Sequence, residues 1–306
     1  MSKVEAKTNK FGINFLSGIG AQLFVVFCNF FSVPFLLDRF GVEAYGLVAF
    51  YATLQIIFSI LDGGVSPLLI RQTSASLGRG PRIIKDYSAL LQISGLFFLI
   101  TSLFGFIIVF LGAGFISTSW LTFEVIDTKE VVFVIQIMAF VIALRWFSGF
   151  YRAIFVGNQN IHILSFINIF IAVLRFLIVL LFLRLINGTV LDFFKYQLFC
   201  SLIELILLYF VSKRVNFNPK VKTTSTEKIT VLKSHYQFAL YAAAGSIIWI
   251  VLTQTDKLIV SKIFDLSIFS TFSLGALGAS VFFFLTSPLS NAVIPRLTEI
   301  HMTGKE

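Results

Sequence analysis

The sequence predicts an all-α protein that crosses a membrane about eight times. Of its 306 residues, 57% are hydrophobic and only 13% are charged, whereas soluble domains carry roughly 25% charged residues. The apolar residues form eight long segments, each near or above the ~20 residues that a helix needs to cross a bilayer. Most basic residues fall in alternate gaps between these segments. We therefore expect a polytopic bundle of transmembrane helices.

Each helix is placed on an apolar segment and bounded by the polar residues beside it. The first follows three lysines and is too long for the apolar part of a signal peptide. Short outer turns separate the first helix from the second and the seventh from the eighth, and Asn187-Gly188 marks another turn. The predicted helices span residues 12–37, 44–70, 87–111, 130–151, 162–185, 192–212, 235–261 and 268–297.

The basic residues predict the orientation, because loops rich in Lys and Arg stay on the cytoplasmic side. Of the 24 Lys and Arg, 16 lie in gaps or at span ends on one side, 4 lie in gaps or at span ends on the other, and the remaining 4 lie within spans. Both termini are therefore expected in the cytoplasm. Arg152 is assigned to the basic side, as a residue of the fourth gap.

The longest basic gap divides the chain. Residues 213–234 are polar, basic and contain a proline, which is typical of a linker. The chain is predicted to comprise a six-helix lobe (1–212), this linker, and two further helices with a short tail (235–306). A faint repeat supports the division: shifted by 224 residues, Phe40–Tyr45 lies over Phe264–Phe269.

Charged residues inside the spans are candidate site residues, because such residues are costly in lipid and usually face the protein interior. From the 1.5 Å rise per residue, Arg145, Arg175 and Glu204 lie roughly 10 to 20 Å deep, so Glu204 could pair with either arginine. A cationic cavity for an anionic head group would use both arginines, with Glu204 as counter-ion or proton carrier. A structural ion pair is the alternative. Asp62, Asp256 and Lys257 are the remaining candidates.

Two helices carry breaks that could serve as gates. Gly63, Gly64 and Pro67 interrupt the second helix, and the eighth carries Pro288, Asn291 and Pro295 in its final third. Such residues loosen the helical backbone. Interrupted helices are common near transporter binding sites, although a static kink is an alternative.

Several function classes find no support in the sequence. Cys28 and Cys200 lie within apolar segments and fit small buried hydrophobic residues. Metal, phosphate-loop and nucleophile motifs are missing, so we expect no catalytic residue, metal or cofactor. The net charge of +9 belongs to loop residues and forms no nucleic-acid patch.

Four stretches together resemble a known family. They are Phe35–Leu47, Leu61–Val65 with Arg71, Gln254–Ser261, and Ser287-Pro288 with Pro295–Leu297. In this order and spacing they are similar to the bacterial O-antigen flippases of the polysaccharide transporter family, within the superfamily of multidrug and toxic-compound extrusion (MATE) proteins.

The resemblance implies a two-lobed MATE-like bundle with a central cavity. Its function would be to move an undecaprenyl-diphosphate-linked oligosaccharide, an O-antigen or capsule repeat unit, across the bacterial cytoplasmic membrane. Partners would be this lipid, the bilayer and other polysaccharide-assembly membrane proteins. The resemblance makes Asp62, Glu204 and Asp256 candidate coupling acids. Such proteins usually have about twelve helices, so the second lobe looks incomplete. A truncated, inactive chain and a multidrug-type exporter are the alternatives.

Overall fold

The computed structural model describes residues 3–76, 81–215 and 223–279, with residues 293–294 and 297–298. Nearly all of these residues are helical. The helices are α1 Lys3–Phe58, α2 Val65–Ser76, α3 Pro81–Phe115, α4 Thr128–Gly157, α5 Ile161–Ala172, α6 Val179–Ile186, α7 Val190–Arg214, α8 Ser225–Ile263 and α9 Leu266–Ala279.

Two backbone breaks divide the first part of the chain. Inside α1, Gly41 adopts φ 78° and ψ 171° and divides the helix into two arms. The first contains the predicted span 12–37, and the second ends at Phe58, within the predicted span 44–70. A 3₁₀ turn, Ser59–Asp62, then leads into Gly63 and Gly64, both with positive φ. Glycine adopts this conformation without steric cost. The helix is therefore interrupted at Gly63 and Gly64, whereas Pro67 lies inside α2; that this break serves as a gate stays a prediction.

Two π-helical turns continue regular helices. Ile116–Trp120 extends α3, and Val173–Ile178 joins α5 to α6. The second turn makes Ile161–Ile186 a single span, as predicted. Such turns are frequent at functional sites, and this one contains Arg175.

Several helices are longer than the sequence predicted. The fourth continues to Gly157 rather than ending at residue 151, so the assignment of Arg152 to a loop is wrong. The seventh begins at Ser225 rather than at residue 235, so part of the predicted linker is helical. Thr224-Ser225-Thr226-Glu227 matches the capping-box pattern that starts helices, and the Lys228 amide donates to the Thr224 carbonyl at 3.2 Å.

The chain is a multi-span membrane protein. Six helical segments of the described part are long and apolar enough to cross a bilayer. The first, Gly12–Asp62, contains the Gly41 break and so supplies two crossings, while Leu266–Ala279 is a shorter apolar helix at the start of the eighth predicted span. Large apolar side chains such as Leu111, Leu185 and Phe166 are exposed on the surface, where lipid would cover them.

Helix α4 lies at the centre of the bundle. Its residues Val131, Val134, Ile135 and Met138 are fully buried and belong to the largest apolar cluster, which also includes residues of α1, α7 and α9. A helix buried on several sides has little freedom to shift. The polar residues further along α4 are therefore held at fixed positions.

Loops that the count of basic residues assigned to the same side of the membrane contact one another at the same end of the bundle. At the predicted outer end, the Glu43 carboxylate accepts hydrogen bonds from the backbone N–H groups of residues 124–126. There too, the Leu266 amide donates to the Thr122 carbonyl at 2.9 Å. At the opposite end, Ser74 donates to the Gly157 carbonyl at 2.8 Å. Which end faces the cytoplasm stays a prediction.

Candidate functional site

Four charged residues from three elements form the candidate site. Arg145 and Arg152 lie on α4, seven residues and therefore about two turns apart on one helix face. Arg175 lies in the π-helical turn of the fifth span. Glu204 lies on α7, which packs against α4.

Glu204 is the centre of this cluster, which we call the arginine cluster. Its side chain is only 1% exposed. The Oε2 atom lies 3.0 Å from Arg175 Nη2 and 4.0 Å from Arg145 Nε. The Oε1 atom accepts a hydrogen bond from Arg152 Nη2. Both predicted arginines thus approach Glu204, together with a third.

Arg175 is the buried member of the cluster, with a side chain 5% exposed. It donates to Ser201 Oγ at 2.8 Å and to Gln197 Oε1 at 3.3 Å. Gln197 in turn donates to the Arg175 carbonyl at 3.0 Å, a carbonyl that lies in the π-helical turn. Arg175 is therefore fixed by α7, and it does not line the neighbouring cavity, which differs from the predicted binding position.

Arg145 and Arg152 face a cavity of about 350 Å³, which we call the first cavity. Their side chains are 36% and 30% exposed. Arg145 Nη1 donates to Gln55 Oε1 at 2.7 Å, and Arg152 Nη1 donates to Asn168 Oδ1 at 2.6 Å. The lining is Gln55, Phe58, Ile142, Arg145, Trp146, Arg152 and Glu204.

The cluster carries more positive than negative charge. Three guanidinium groups surround one carboxylate, which leaves two positive charges uncompensated among these four side chains. Arginine presents several N–H donors in a planar fork that suits phosphate and carboxylate oxygens. The arrangement can therefore bind a dianion, with Glu204 holding the cations in place.

Asp62 lies on a second, larger cavity of about 630 Å³. It is 8% exposed, at the end of the 3₁₀ turn, and it accepts from Ser66 Oγ at 2.6 Å. Pro67 in the first turn of α2 also lines this cavity. Gly64 allows a close approach here, since a Cβ on it would lie 2.1 Å from the Ala239 carbonyl oxygen of α8.

The remaining predicted site residues lie elsewhere. Asp256 is exposed on α8 and Lys257 partly so, and neither lines the two cavities. The Lys257 amide donates to Asp256 Oδ1 at 2.8 Å, which is a local contact. Their coupling role, like that of Asp62, stays a prediction. Pro288, Asn291 and Pro295 lie outside the described residues.

Of the seven residues that line the first cavity, the sequence interpretation missed five, namely Gln55, Phe58, Ile142, Trp146 and Arg152. Arg152 was placed in a loop, although its spacing of seven from Arg145 puts both on one face if the helix continues. Gln55 is a polar residue in an apolar segment and was a usable signal of the same kind. Trp146 carried no such signal, because an aromatic residue in a membrane helix most often faces lipid or core.

Comparison with known proteins identifies both a family and a fold. A family model described as "Polysaccharide biosynthesis protein" matches residues 11–301. The "Uncharacterized membrane protein EpsK" of Bacillus subtilis (strain 168) is 34% identical over 73 residues, which are 24% of this chain and 14% of EpsK. The chain therefore matches only a small part of the length of this relative.

Three solved structures resemble the whole chain. One, named protein A, has a TM-score of 0.72 at 15% identity and covers 99% of this chain and 67% of its own. A crystal structure of MATE in complex with MaL6 has a TM-score of 0.65 at 12% identity, with 95% and 65% covered. An outward-facing multidrug resistance MATE family transporter of the MOP superfamily has a TM-score of 0.64 at 11% identity. This match again covers 95% of this chain and 65% of that structure. The predicted MATE-like fold is thus confirmed, and the chain spans about two thirds of the length of these structures.

Proposed function

The chain belongs to the polysaccharide biosynthesis protein family, and from this membership we propose that it is a membrane transporter of undecaprenyl-diphosphate-linked oligosaccharides. The cargo would be an O-antigen or capsule repeat unit, moved across the bacterial cytoplasmic membrane. The observation that carries the proposal is the arginine cluster beside the first cavity. The lipid bilayer and other polysaccharide-assembly membrane proteins would be the further partners.

The charge of the cluster matches that of the proposed head group. A diphosphate esterified at both ends carries two negative charges at neutral pH. The cluster carries three positive charges and one negative charge, hence two positive charges in excess. Charges within a bilayer are costly unless they are paired or hydrated. A cavity with this excess would lower the cost of moving the diphosphate through the membrane.

Arg145 and Arg152 are the residues proposed to contact the diphosphate. Both line the first cavity and are about one-third exposed. Arg175 and Glu204 are nearly fully buried and would act as positioning residues that orient the other two. This division of roles replaces the predicted pair of binding residues, Arg145 and Arg175, with Arg145 and Arg152.

The two-lobe division of the chain is part of the proposal. Residues 1–212 would form the first lobe, and 235–306 would contribute to the second. The two segments related by the faint repeat lie close together, since Gly46, the residue that follows the first segment, lies directly against Leu266 of the second. Interhelical contacts through glycine let helix backbones approach closely in membranes.

A flipping assay tests the proposal. The full chain is reconstituted in liposomes that contain an undecaprenyl-diphosphate-linked oligosaccharide with a fluorescent label on the sugar. A membrane-impermeant reductant then reports how much label reaches the outer leaflet. We expect Arg152→Gln to slow this rate by about tenfold or more, because a charge-assisted contact is worth about 1.5 to 3 kcal/mol.

Arg184→Gln is the matched control, because Arg184 is exposed on α6 and lines neither cavity. It should transport at the wild-type rate. Transport of a cationic dye without any movement of the labelled lipid would support a multidrug exporter instead. Equal rates for wild type and Arg152→Gln would contradict the proposed role of the cluster.

A further inference from the structure

We propose that the cavity beside Asp62, which we call the second cavity, binds a sugar ring of the transported glycan. The inference rests on the proposed function and adds the position of the sugar. The volume of the second cavity, about 630 Å³, lies within the roughly 300–1,000 Å³ range of small-molecule sites. The ring bound here would be the one attached directly to the diphosphate.

The hydrogen-bonding groups of the second cavity suit sugar hydroxyls. Asp62 presents two carboxylate oxygens, which together can accept about four hydrogen bonds. Of these, Ser66 supplies two, from its hydroxyl to Oδ1 at 2.6 Å and from its amide to Oδ2 at 3.2 Å, and the Gly64 amide supplies a third. Ser59 and Ser246 also line the cavity. Their hydroxyls donate to the carbonyls of Ile56 and Ala242, respectively, so their oxygens can still accept bonds from a ligand.

Two tryptophans provide aromatic surface for the apolar faces of a pyranose ring. Trp146 and Trp249 both line the second cavity. The indole N–H of Trp146 donates to Thr101 Oγ1 at 3.0 Å, which fixes the orientation of that ring. Aromatic rings that combine an apolar face with a hydrogen-bonded edge lose little conformational freedom on binding. Carboxylate, hydroxyl and indole groups together form a lining that recognises a carbohydrate.

The small residues of α8 leave room for the ring. Ala242, Gly245 and Ser246 lie on one face of α8 and line the cavity, because residues three or four apart share a helix face. Larger side chains at these positions would fill the space. The face therefore matches a rigid, bulky ligand.

The position of the second cavity relative to the first also fits. Trp146 lines both cavities, so the proposed sugar site is adjacent to the arginine cluster. A sugar bonded directly to a diphosphate needs such neighbouring sites. An acyl chain is a poorer occupant, because it would leave the Asp62 carboxylate without polar partners for its remaining lone pairs.

Binding of two lipids that differ by a single sugar tests the inference. The full chain is prepared as Trp120→Phe, which leaves Trp146 and Trp249 as its tryptophans, since the sequence contains three. Tryptophan fluorescence is titrated with two diphosphate diesters of equal charge. One is P1-undecaprenyl P2-methyl diphosphate, called here the methyl ester, and the other is undecaprenyl diphosphate N-acetylglucosamine. We expect the sugar-bearing lipid to bind at least about tenfold more tightly, the effect of one charged hydrogen bond.

Two variants assign the preference to the second cavity. Asp62→Asn removes the charge while keeping a similar shape, and Ser246→Leu fills the space from α8. Each should abolish the preference for the sugar-bearing lipid and leave the affinity for the methyl ester unchanged. Asp38→Asn is the control, because Asp38 is an exposed carboxylate that lines neither cavity.

The outcomes separate this inference from the proposed function. Equal affinity of the two lipids, or a preference that survives both variants, overturns the sugar site. Arg152→Gln should weaken the binding of both lipids to the same extent. If Arg152→Gln has no effect while the sugar preference persists, the sugar site stands and the diphosphate site of the proposed function fails.

Discussion

Replacing Glu204 by glutamine should destabilise the folded protein more than any single change at an exposed carboxylate. The substitution keeps the size of the side chain and one oxygen acceptor but removes the negative charge. Three guanidinium groups would then face one another without their counter-ion. The stability effect follows from the distances and exposures of the three pairs.

The pair with Arg175 dominates the expected loss. At 3.0 Å and an effective dielectric constant of about 20, the gross attraction is about 5.5 kcal/mol. Part of it offsets the cost of removing both charges from water. Arg145 and Arg152 are about one-third exposed, so solvent screens their contributions. Removing one partner of a buried pair typically costs about 3 to 5 kcal/mol, and we expect about 3 kcal/mol because glutamine still accepts a hydrogen bond.

The measurement is the free energy of unfolding in mixed detergent micelles, followed by circular dichroism. Glu124→Gln serves as control, since Glu124 is an exposed carboxylate. The double variant Glu204→Leu/Arg175→Leu should recover most of the loss, because it removes both buried charges together. A Glu204→Gln protein within about 1 kcal/mol of wild type would show that Glu204 does not hold the cluster together.

Three other perturbations test the fold. Gly64→Ala should lower the unfolding free energy by about 2 kcal/mol or more, because its φ is +74° and the added Cβ would lie 2.1 Å from a carbonyl oxygen of α8; wild-type stability would contradict this packing. Cys28 and Cys200 are fully buried, so a maleimide reagent should label them only after denaturation, and rapid labelling of folded protein would refute the burial. Glu43→Gln should speed amide hydrogen exchange at residues 124–126, whose N–H groups donate to this carboxylate, and unchanged exchange would show that the contact is weak.

Within the described residues, the order of the membrane helices could be predicted because it depends on segment length and hydrophobicity. The ends of the helices could not, since a helix that leaves the bilayer continues in water when its residues permit it. The fourth and seventh helices both extend past the apolar segment. Because the fourth helix was predicted to end too early, Arg152 was assigned to a loop and was left out of the predicted site.

The meeting of Arg145, Arg175 and Glu204 could be anticipated from depth alone. Their separate roles could not, because exposure depends on which helix covers each side chain. Arg175 is covered by α7 through Gln197 and Ser201, whereas Arg145 faces open space. The second cavity could not be predicted either, because it forms only where α8 lies against the break after Asp62.

The contact between Gly64 and α8 has a mechanical consequence. It joins backbone to backbone, so no side chain is available to yield when the two helices move. A sliding of α8 along its axis would therefore rotate the peptide units at Gly63 and Gly64, the least constrained part of this segment. Those peptides lie between Asp62 and Ser66, whose amide donates to the Asp62 carboxylate at 3.2 Å. Displacement of α8 would thus reorient Asp62 and Ser66, the polar residues on either side of these glycines.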